Sequence, residues 1–352
     1  MSRAPGDDVL GAGLTGDTAA GDTAAATTGG AVLAVRDLTV DYTMERGTVR
    51  AVDAVSFDLD PGEFIGIVGE SGCGKSTLLF AIAQLLVPPA GIACGSVIFK
   101  GQNMVGLTDN QMAAVRWKDL SVVMQSAMNA LNPVKSIGAQ FSDAMRAHGV
   151  TARAEIAGRS AEVLRMVGID PVHLQSYPHQ LSGGMRQRSM IAMAMLLTPD
   201  LVIMDEPTSA LDVVAQRSLM VQIKDLQEQL GFAVIFVTHD MSLVSHFSDR
   251  LMVMYAGQVA ELGGTRQVFD TPLHPYSIGL MEAFPSIRGP RVPLTGIPGR
   301  PPDLANLPQG CTFAPRCPKV MARCQEEPPE LYRVRGTLVR CFLHDKGGAS
   351  DD

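Results

Sequence analysis

Gly69-Glu70-Ser71-Gly72-Cys73-Gly74-Lys75-Ser76-Thr77 is the stretch on which the fold turns. Before it, residues 64–68 are continuously apolar, the pattern of a short strand covered on both faces in a parallel sheet. After it, residues 75–86 read as a helix that Pro88-Pro89 stops. Gly69, Gly72 and Gly74 let successive backbone N–H groups turn toward one anion, and the helix start adds its partial positive charge. A strand, a glycine-rich turn and a helix in that order make a phosphate cradle. Lys75 is placed to bridge the outer phosphates of a nucleoside triphosphate, and the Ser76 hydroxyl to ligate Mg2+. Ser71 and Thr77 belong to the same loop, and Cys73 reads as a filler position rather than a nucleophile.

Working outward, Leu201-Val202-Ile203-Met204-Asp205-Glu206 is an apolar strand that ends in two carboxylates. At the C-terminal edge of a parallel sheet these project into the ligand crevice beside the cradle. Asp205 is expected in the Mg2+ shell, and Glu206 beside the attacking water. Residues 33–42 and 48–59 read as strands about a turn at Glu45-Arg46-Gly47. From residue 109 to 181 the pattern is mostly helical, and strands resume at residues 201–204 and 233–238. The helix between those two carries Leu219, Ile223, Leu226 and Leu230 on one face, and residues 250–255 and 258–262 form a hairpin at Gly257. No internal repeat is visible, so one nucleotide unit is expected and not two.

Bulk properties exclude several classes. The net charge of -7 gives no footprint for a nucleic-acid partner. No apolar run approaches the roughly 18 residues of a membrane-spanning helix, so any membrane role is expected to come through partners. Residues 1–30 are Gly, Ala, Thr and Asp with neither a basic start nor an apolar block, and read as a disordered extension rather than a secretory signal. Six cysteines without such a signal point to a reducing compartment. Four of them, Cys311, Cys317, Cys324 and Cys341, follow a Pro- and Gly-rich stretch that starts near residue 285.

Leu181-Ser182-Gly183-Gly184-Met185-Arg186-Gln187-Arg188, just before the acidic strand, resembles the signature of ATP-binding cassette (ABC) ATPases. The resemblance covers about residues 33–285. It implies an α/β nucleotide-binding domain over residues 31–284: a P-loop NTPase core, an antiparallel β subdomain, and a helical subdomain over about residues 126–181. It also implies a site shared head to tail between two cassettes, with Ser182, Gly183, Gly184 and Gln187 acting on ATP held by the partner. Gln125 resembles the residue that reaches Mg2+ and the attacking water, so the implied Mg2+ residues are Ser76, Gln125 and Asp205. His239 resembles the γ-phosphate contact, and Tyr42 the aromatic that stacks on adenine. Ser209, Ala210, Leu211 and Asp212 resemble the loop that communicates across the dimer. The implied catalytic set is Glu206, His239, Lys75 and Gln125.

His274-Pro275-Tyr276-Ser277, Gly310-Cys311-Thr312-Phe313 and Arg316-Cys317-Pro318 are similar to the tail of ATPase subunits of dipeptide and oligopeptide permeases. Relatives that import nickel or opines share that tail. Met128 and Ala130-Leu131-Asn132-Pro133 look more like the D-type ATPase of that group than the F type. The resemblance implies two membrane permease subunits, a second ATPase of the F type, an extracytoplasmic binding protein, and a place on the cytoplasmic face of the membrane. The groove that receives the permease helix would include Ala127, Met128, Leu131, Asn132 and Pro133; Ser126 departs from the acidic residue often found there. Gaps of five, six and sixteen residues separate the four late cysteines and match no general zinc-finger or ferredoxin spacing. The resemblance suggests a [4Fe–4S] cluster in a C-terminal region of residues 285–346, ahead of a loose end at 347–352; Zn2+, a disulfide or unligated thiols remain alternatives. A soluble ABC ATPase of DNA repair or translation is the competing class, against which stand the single cassette and the acidic balance.

Overall fold

Four antiparallel strands build the smaller of two sheets. The computed structural model describes residues 30–45, 47–125, 130–209, 211–283 and 296–345. The expected N-terminal extension, Ala127 and Met128 of the permease groove, Ala210, the first part of the C-terminal region and the chain end therefore lie outside the described residues. Strand β1 (Leu33–Met44) pairs antiparallel with β2 (Gly47–Leu59), matching Val35 to Phe57 and Leu38 to Val55. After β3 (Phe64–Val68) and helix α1 (Lys75–Ile82), β4 (Ala90–Phe99) pairs with the other side of β1, and β5 (Gln102–Asn103) closes the order β2-β1-β4-β5.

The chain continues through α2 (Asp109–Val115), β6 (Leu120–Val123), α3 (Ile137–Ala147), α4 (Arg153–Met166) and α5 (Gly183–Ala194). Next come β7 (Leu201–Asp205), α6 (Val213–Leu230), β8 (Ala233–Val237), α7 (Met241–Phe247), β9 (Arg250–Tyr255) and β10 (Gln258–Gly264). Last are α8 (Thr265–Asp270), α9 (Pro275–Glu282), α10 (Arg323–Glu326), β11 (Tyr332–Val334) and β12 (Thr337–Val339). The large sheet runs β11-β12-β10-β9-β3-β8-β7-β6, parallel from β9 to β6 and antiparallel beyond it. Every residue of β3, β7 and β8 is buried. The pleat sends Phe64, Val202, Val234 and Phe236 into a core shared with the helices, while Ile65, Ile67, Ile203 and Ile235 enter a second core under the antiparallel sheet.

Four local features differ from what the sequence pattern predicts. Helix α1 ends at Ile82 rather than residue 86, because Gln84 takes a left-handed φ of 54° and its carbonyl is engaged by the Arg116 guanidinium. Strand β4 was not legible: of its ten residues only Val97 and Phe99 are buried, so no alternation precedes them. Leu131, expected on the permease groove, is buried at 3% exposure, whereas Val134 is 78% exposed. Leu230, expected on the inner face of α6, is 39% exposed at its last turn.

The C-terminal residues extend the large sheet. Strand β12 pairs with β10, setting Val339 opposite Glu261 and Leu338 opposite Leu262. Phe313 sits between Tyr255 and Tyr276, with ring centroids at 5.2 and 5.5 Å. Burying its side chain to 2% exposure contributes about 2–3 kcal/mol. Among the described residues no helix is long and apolar enough to cross a membrane.

Candidate nucleotide site

The loop between β3 and α1 is pressed against neighbouring backbone, which is why it needs glycine. A Cβ at Gly69 would lie 2.2 Å from the Met254 carbonyl oxygen, and one at Gly74 2.2 Å from that of Ala51; both residues have positive φ, 151° and 101°. Helix α1 has no side-chain cap at its N-terminus, so its first N–H groups stay available to an anion. Lys75, 9% exposed, donates to the Gly69 carbonyl at 2.8 Å and the Glu70 carbonyl at 3.0 Å. Those carbonyls hold its ammonium inside the ring of the loop. Cys73 is buried and desolvation pushes its thiol pKa up, which fits the filler role and not a nucleophile.

Eleven of the thirteen residues expected to contact ATP line one cleft of about 750 Å3: Tyr42, Gly69, Ser71, Gly72, Gly74, Lys75, Ser76, Thr77, Gln125, Glu206 and His239. Cys73 and Asp205 are buried and do not line it. The Tyr42 hydroxyl is 3.2 Å from Thr77 Oγ1, so the ring is held at the cleft by the loop's own helix. Glu206 stands just past β7 with φ 46°, a left-handed conformation that costs a residue with a Cβ on the order of 1 kcal/mol. Its backbone N–H donates to Val237 O at 2.9 Å, anchoring it to β8. Gln125 Nε2 donates to Glu206 Oε2 at 2.7 Å, and His239 Nδ1 lies 3.4 Å from Glu206 Oε1. The expected catalytic carboxylate is thus bracketed by an amide and an imidazole.

Asp205 provides the test for Mg2+. It is 3% exposed, and its Oδ1 is buried without any hydrogen-bond partner. Desolvation raises its pKa; the Ser76 side chain opposes the shift, the Glu206 charge adds to it and the Lys75 charge opposes it. A buried, unpartnered carboxylate oxygen beside a hydroxyl fits a small hard cation, which takes oxygen donors. Ser76, Asp205 and Gln125 are the residues that would hold it.

The signature lies elsewhere. Ser182 caps α5 by accepting from Met185 N at 3.3 Å, and Ser182, Gly183 and Gly184 are at least partly exposed. None lines the cleft of this chain; Gly184 lines a separate groove with Leu211 and Asp212, so signature and dimer loop adjoin. Asp212 caps α6 through Ala215 N at 2.9 Å, and Ser209 is exposed. Gln187, 2% exposed, lies on the same face of α5 as Met190 and Ile191, with its side-chain oxygen buried and without a hydrogen-bond partner.

Four residues of the cleft were missed: Met44, Val49, Ala51 and Leu304. Met44, Val49 and Ala51 flank the turn between β1 and β2, where the sequence shows only an ordinary hairpin. Leu304 is some 230 positions beyond the loop, and no short-range pattern reveals it.

The match to the ABC transporter family runs over residues 52–209, and a second match, to the oligopeptide/dipeptide transporter C-terminal region, over residues 260–324. The dipeptide transport ATP-binding protein DppD of Caldanaerobacter subterraneus is 40% identical across 90% of this chain and 98% of that protein. This chain belongs to the ATP-binding subunits of dipeptide and oligopeptide ABC transporters. The DppD of Bacillus subtilis is 43% identical, across 90% of this chain and 95% of its own. Among solved structures, the dimeric ATP-binding cassette MJ0796 bound to ADP and Pi aligns with a TM-score of 0.60 and 29% identity, over 66% of this chain and 99% of that one. The chain is therefore an ABC ATPase with the cassette fold.

The four late cysteines also converge. Cys311, Cys317, Cys324 and Cys341 line one small space with His274, Phe313 and Phe342, and all are free thiols. Burial raises the pKa of Cys311 and Cys317, and raises that of Cys341 to about 11, with the neighbouring thiols adding to each. Among the described residues, no three His, Cys, Asp or Glu side chains are drawn together into a metal-holding group.

Proposed function

We propose that this chain hydrolyses ATP to energise import of dipeptides or oligopeptides through two partner permeases, working at the cytoplasmic face of the membrane with a second, F-type cassette and an extracytoplasmic binding protein. The observation that carries it is the division of the machinery. The cleft holds Lys75, Gln125, Glu206 and His239, while Ser182, Gly183 and Gly184 stand apart on an open surface that has no role in this chain's own site. A signature placed so is useful only to a nucleotide on another cassette. The acidic balance leaves nucleic acid without a charge partner. The relatives' names support peptide as cargo over nickel or opines.

In the mechanism, Lys75 leaves its two loop carbonyls for the phosphates, and the N–H groups of Gly72, Gly74 and Lys75 hold the same oxygens. Bound Mg2+ would neutralise charge on the leaving phosphates, held by Ser76, Asp205 and Gln125. Glu206 orients a water toward the γ-phosphate and takes its proton. His239 donates to the γ-phosphate oxygen once it is released from Glu206. Tyr42 packs its ring on the adenine. Swinging a two-state dimer from open to closed takes about 5.5 kcal/mol of differential binding, and two nucleotides gripped from both cassettes can supply it. In the assembled complex, peptide-stimulated ATP turnover is expected to fall at least about 100-fold in Glu206→Gln with Mg-ATP binding retained. Undiminished turnover in that variant, or a purified chain that binds no permease, would overturn the proposal.

The four cysteines are proposed to hold a [4Fe–4S] cluster as a structural staple. The support is the donor type and shared location: four thiols line one small space, without being drawn together as closely as bound metal would hold them.

A further inference from the structure

The tail reaches the phosphate loop itself. Arg316, 6% exposed, makes a bidentate pair with Glu70 of the loop: Nη1 donates to Oε2 at 2.6 Å and Nη2 to Oε1 at 2.9 Å. Its Nε donates to the Pro298 carbonyl at 2.8 Å, and Nη1 also reaches Tyr255 Oη at 3.3 Å. The guanidinium is thus fixed from three sides, in the planar fork that suits a carboxylate. The backbone N–H of the same Glu70 donates to Tyr276 Oη at 2.9 Å, and the Glu70 carbonyl accepts from Lys75. Glu70 puts a negative charge on the loop that must receive a polyanion. The only cation bonded to its carboxylate among the described residues comes from beyond residue 296. From the same segment, Leu304 lines the nucleotide cleft. An aliphatic side chain there suits a base or ribose face and not a phosphate.

We propose that the C-terminal cysteine-bearing region is a working part of this chain's own nucleotide site, Arg316 neutralising Glu70 of the phosphate loop and Leu304 forming an aliphatic wall for the nucleoside. Arg316 is a positioning residue; it touches no phosphate. Its loss leaves the Glu70 carboxylate uncompensated near the phosphates, whereas loss of Glu70 leaves an extra cation that costs ATP nothing. A merely structural tie predicts instead that either loss is equally harmful. The inference rests on nucleotide binding and not on the identity of the cargo.

Calorimetric titration of the full chain with Mg-ADP and with Mg-tripolyphosphate separates these readings. Arg316→Gln is expected to bind both ligands about tenfold more weakly, the effect of one unscreened charge several ångströms away, and the deficit shrinks at high salt. Glu70→Gln keeps wild-type affinity or exceeds it, and Glu70→Gln with Arg316→Gln recovers to within about threefold of wild type. Leu304→Ala weakens Mg-ADP about fivefold and leaves tripolyphosphate unchanged. Should Arg316→Gln fail to fold, Glu70→Gln alone decides the sign. The proposal is overturned if Glu70→Gln weakens binding tenfold, if the double variant is no better than Arg316→Gln, or if Leu304→Ala affects both ligands alike or neither. A wild-type chain that binds no Mg-ADP would defeat the nucleotide site itself, a different failure.

Discussion

Asp205 and Glu206 are neighbours with opposite fates. Asp205 ends β7 buried with one oxygen unpartnered, and Glu206 is turned out by its left-handed backbone to meet Gln125 and His239. The sequence showed two acids at a strand end; that one carboxylate is sunken and the other bracketed follows from the backbone reversal between them, which no composition reveals. Because burial raises the Asp205 pKa, its proton is held to a higher pH than an ordinary carboxyl, and Mg2+ must displace it. Mg-ATP affinity is therefore expected to weaken on acidification beginning above the usual carboxylate range of about 4, and to plateau toward neutral pH. Titrating Mg2+ against an ATP-loaded chain at several pH values checks the sign; pH-independent affinity would count against Asp205 as the ligand. Gln187 teaches the converse. It carries a polar side chain, yet its helical spacing from Met190 and Ile191 places it among buried residues.

Among the elements, those with a strong period were legible and those that depend on distant contacts were not. Strands β3, β7 and β8 are apolar throughout because both faces of the sheet are covered. Strand β4 hides its role, since it gains pairing from β1 and β5 but buries little. The short segments that carry the cysteines are the extreme case. Cys324 lies on α10, Cys341 just past β12, and Cys311 and Cys317 flank the single turn at Ala314–Arg316, so their meeting is a product of the tertiary fold. If they hold a cluster, anaerobically purified chain should contain about four iron and four sulfide and be brown, and replacing Cys324 with Ser should lose both. A colourless, metal-free preparation of full activity would refute it.

At the scale of the molecule, His274 ties α9 to the C-terminal residues. It caps α9, accepts from Tyr276 N at 2.9 Å, and packs its ring 5.7 Å from Phe313. Complete burial lowers its pKa to about 3; a hydrogen bond with the Arg340 backbone opposes the shift, and the nearby His344 and Arg340 charges add to it. The folded pKa lies below the unfolded value of about 6.5, so the contribution to stability is intact above pH 6.5 and is lost as pH falls toward 3. Between pH 6.5 and 5.5, the wild type should lose about 1 kcal/mol more than His274→Asn in urea unfolding. Equal losses would show that the imidazole is already charged in the fold. The pairing of β12 with β10 has a further consequence for anyone wishing to dissect the protein. A chain cut after residue 283 would keep every catalytic side chain, yet it would bare β10 along its whole outer margin. A flat row of unpaired amides and carbonyls is a template for another copy, so such a fragment would be prone to self-association and aggregation.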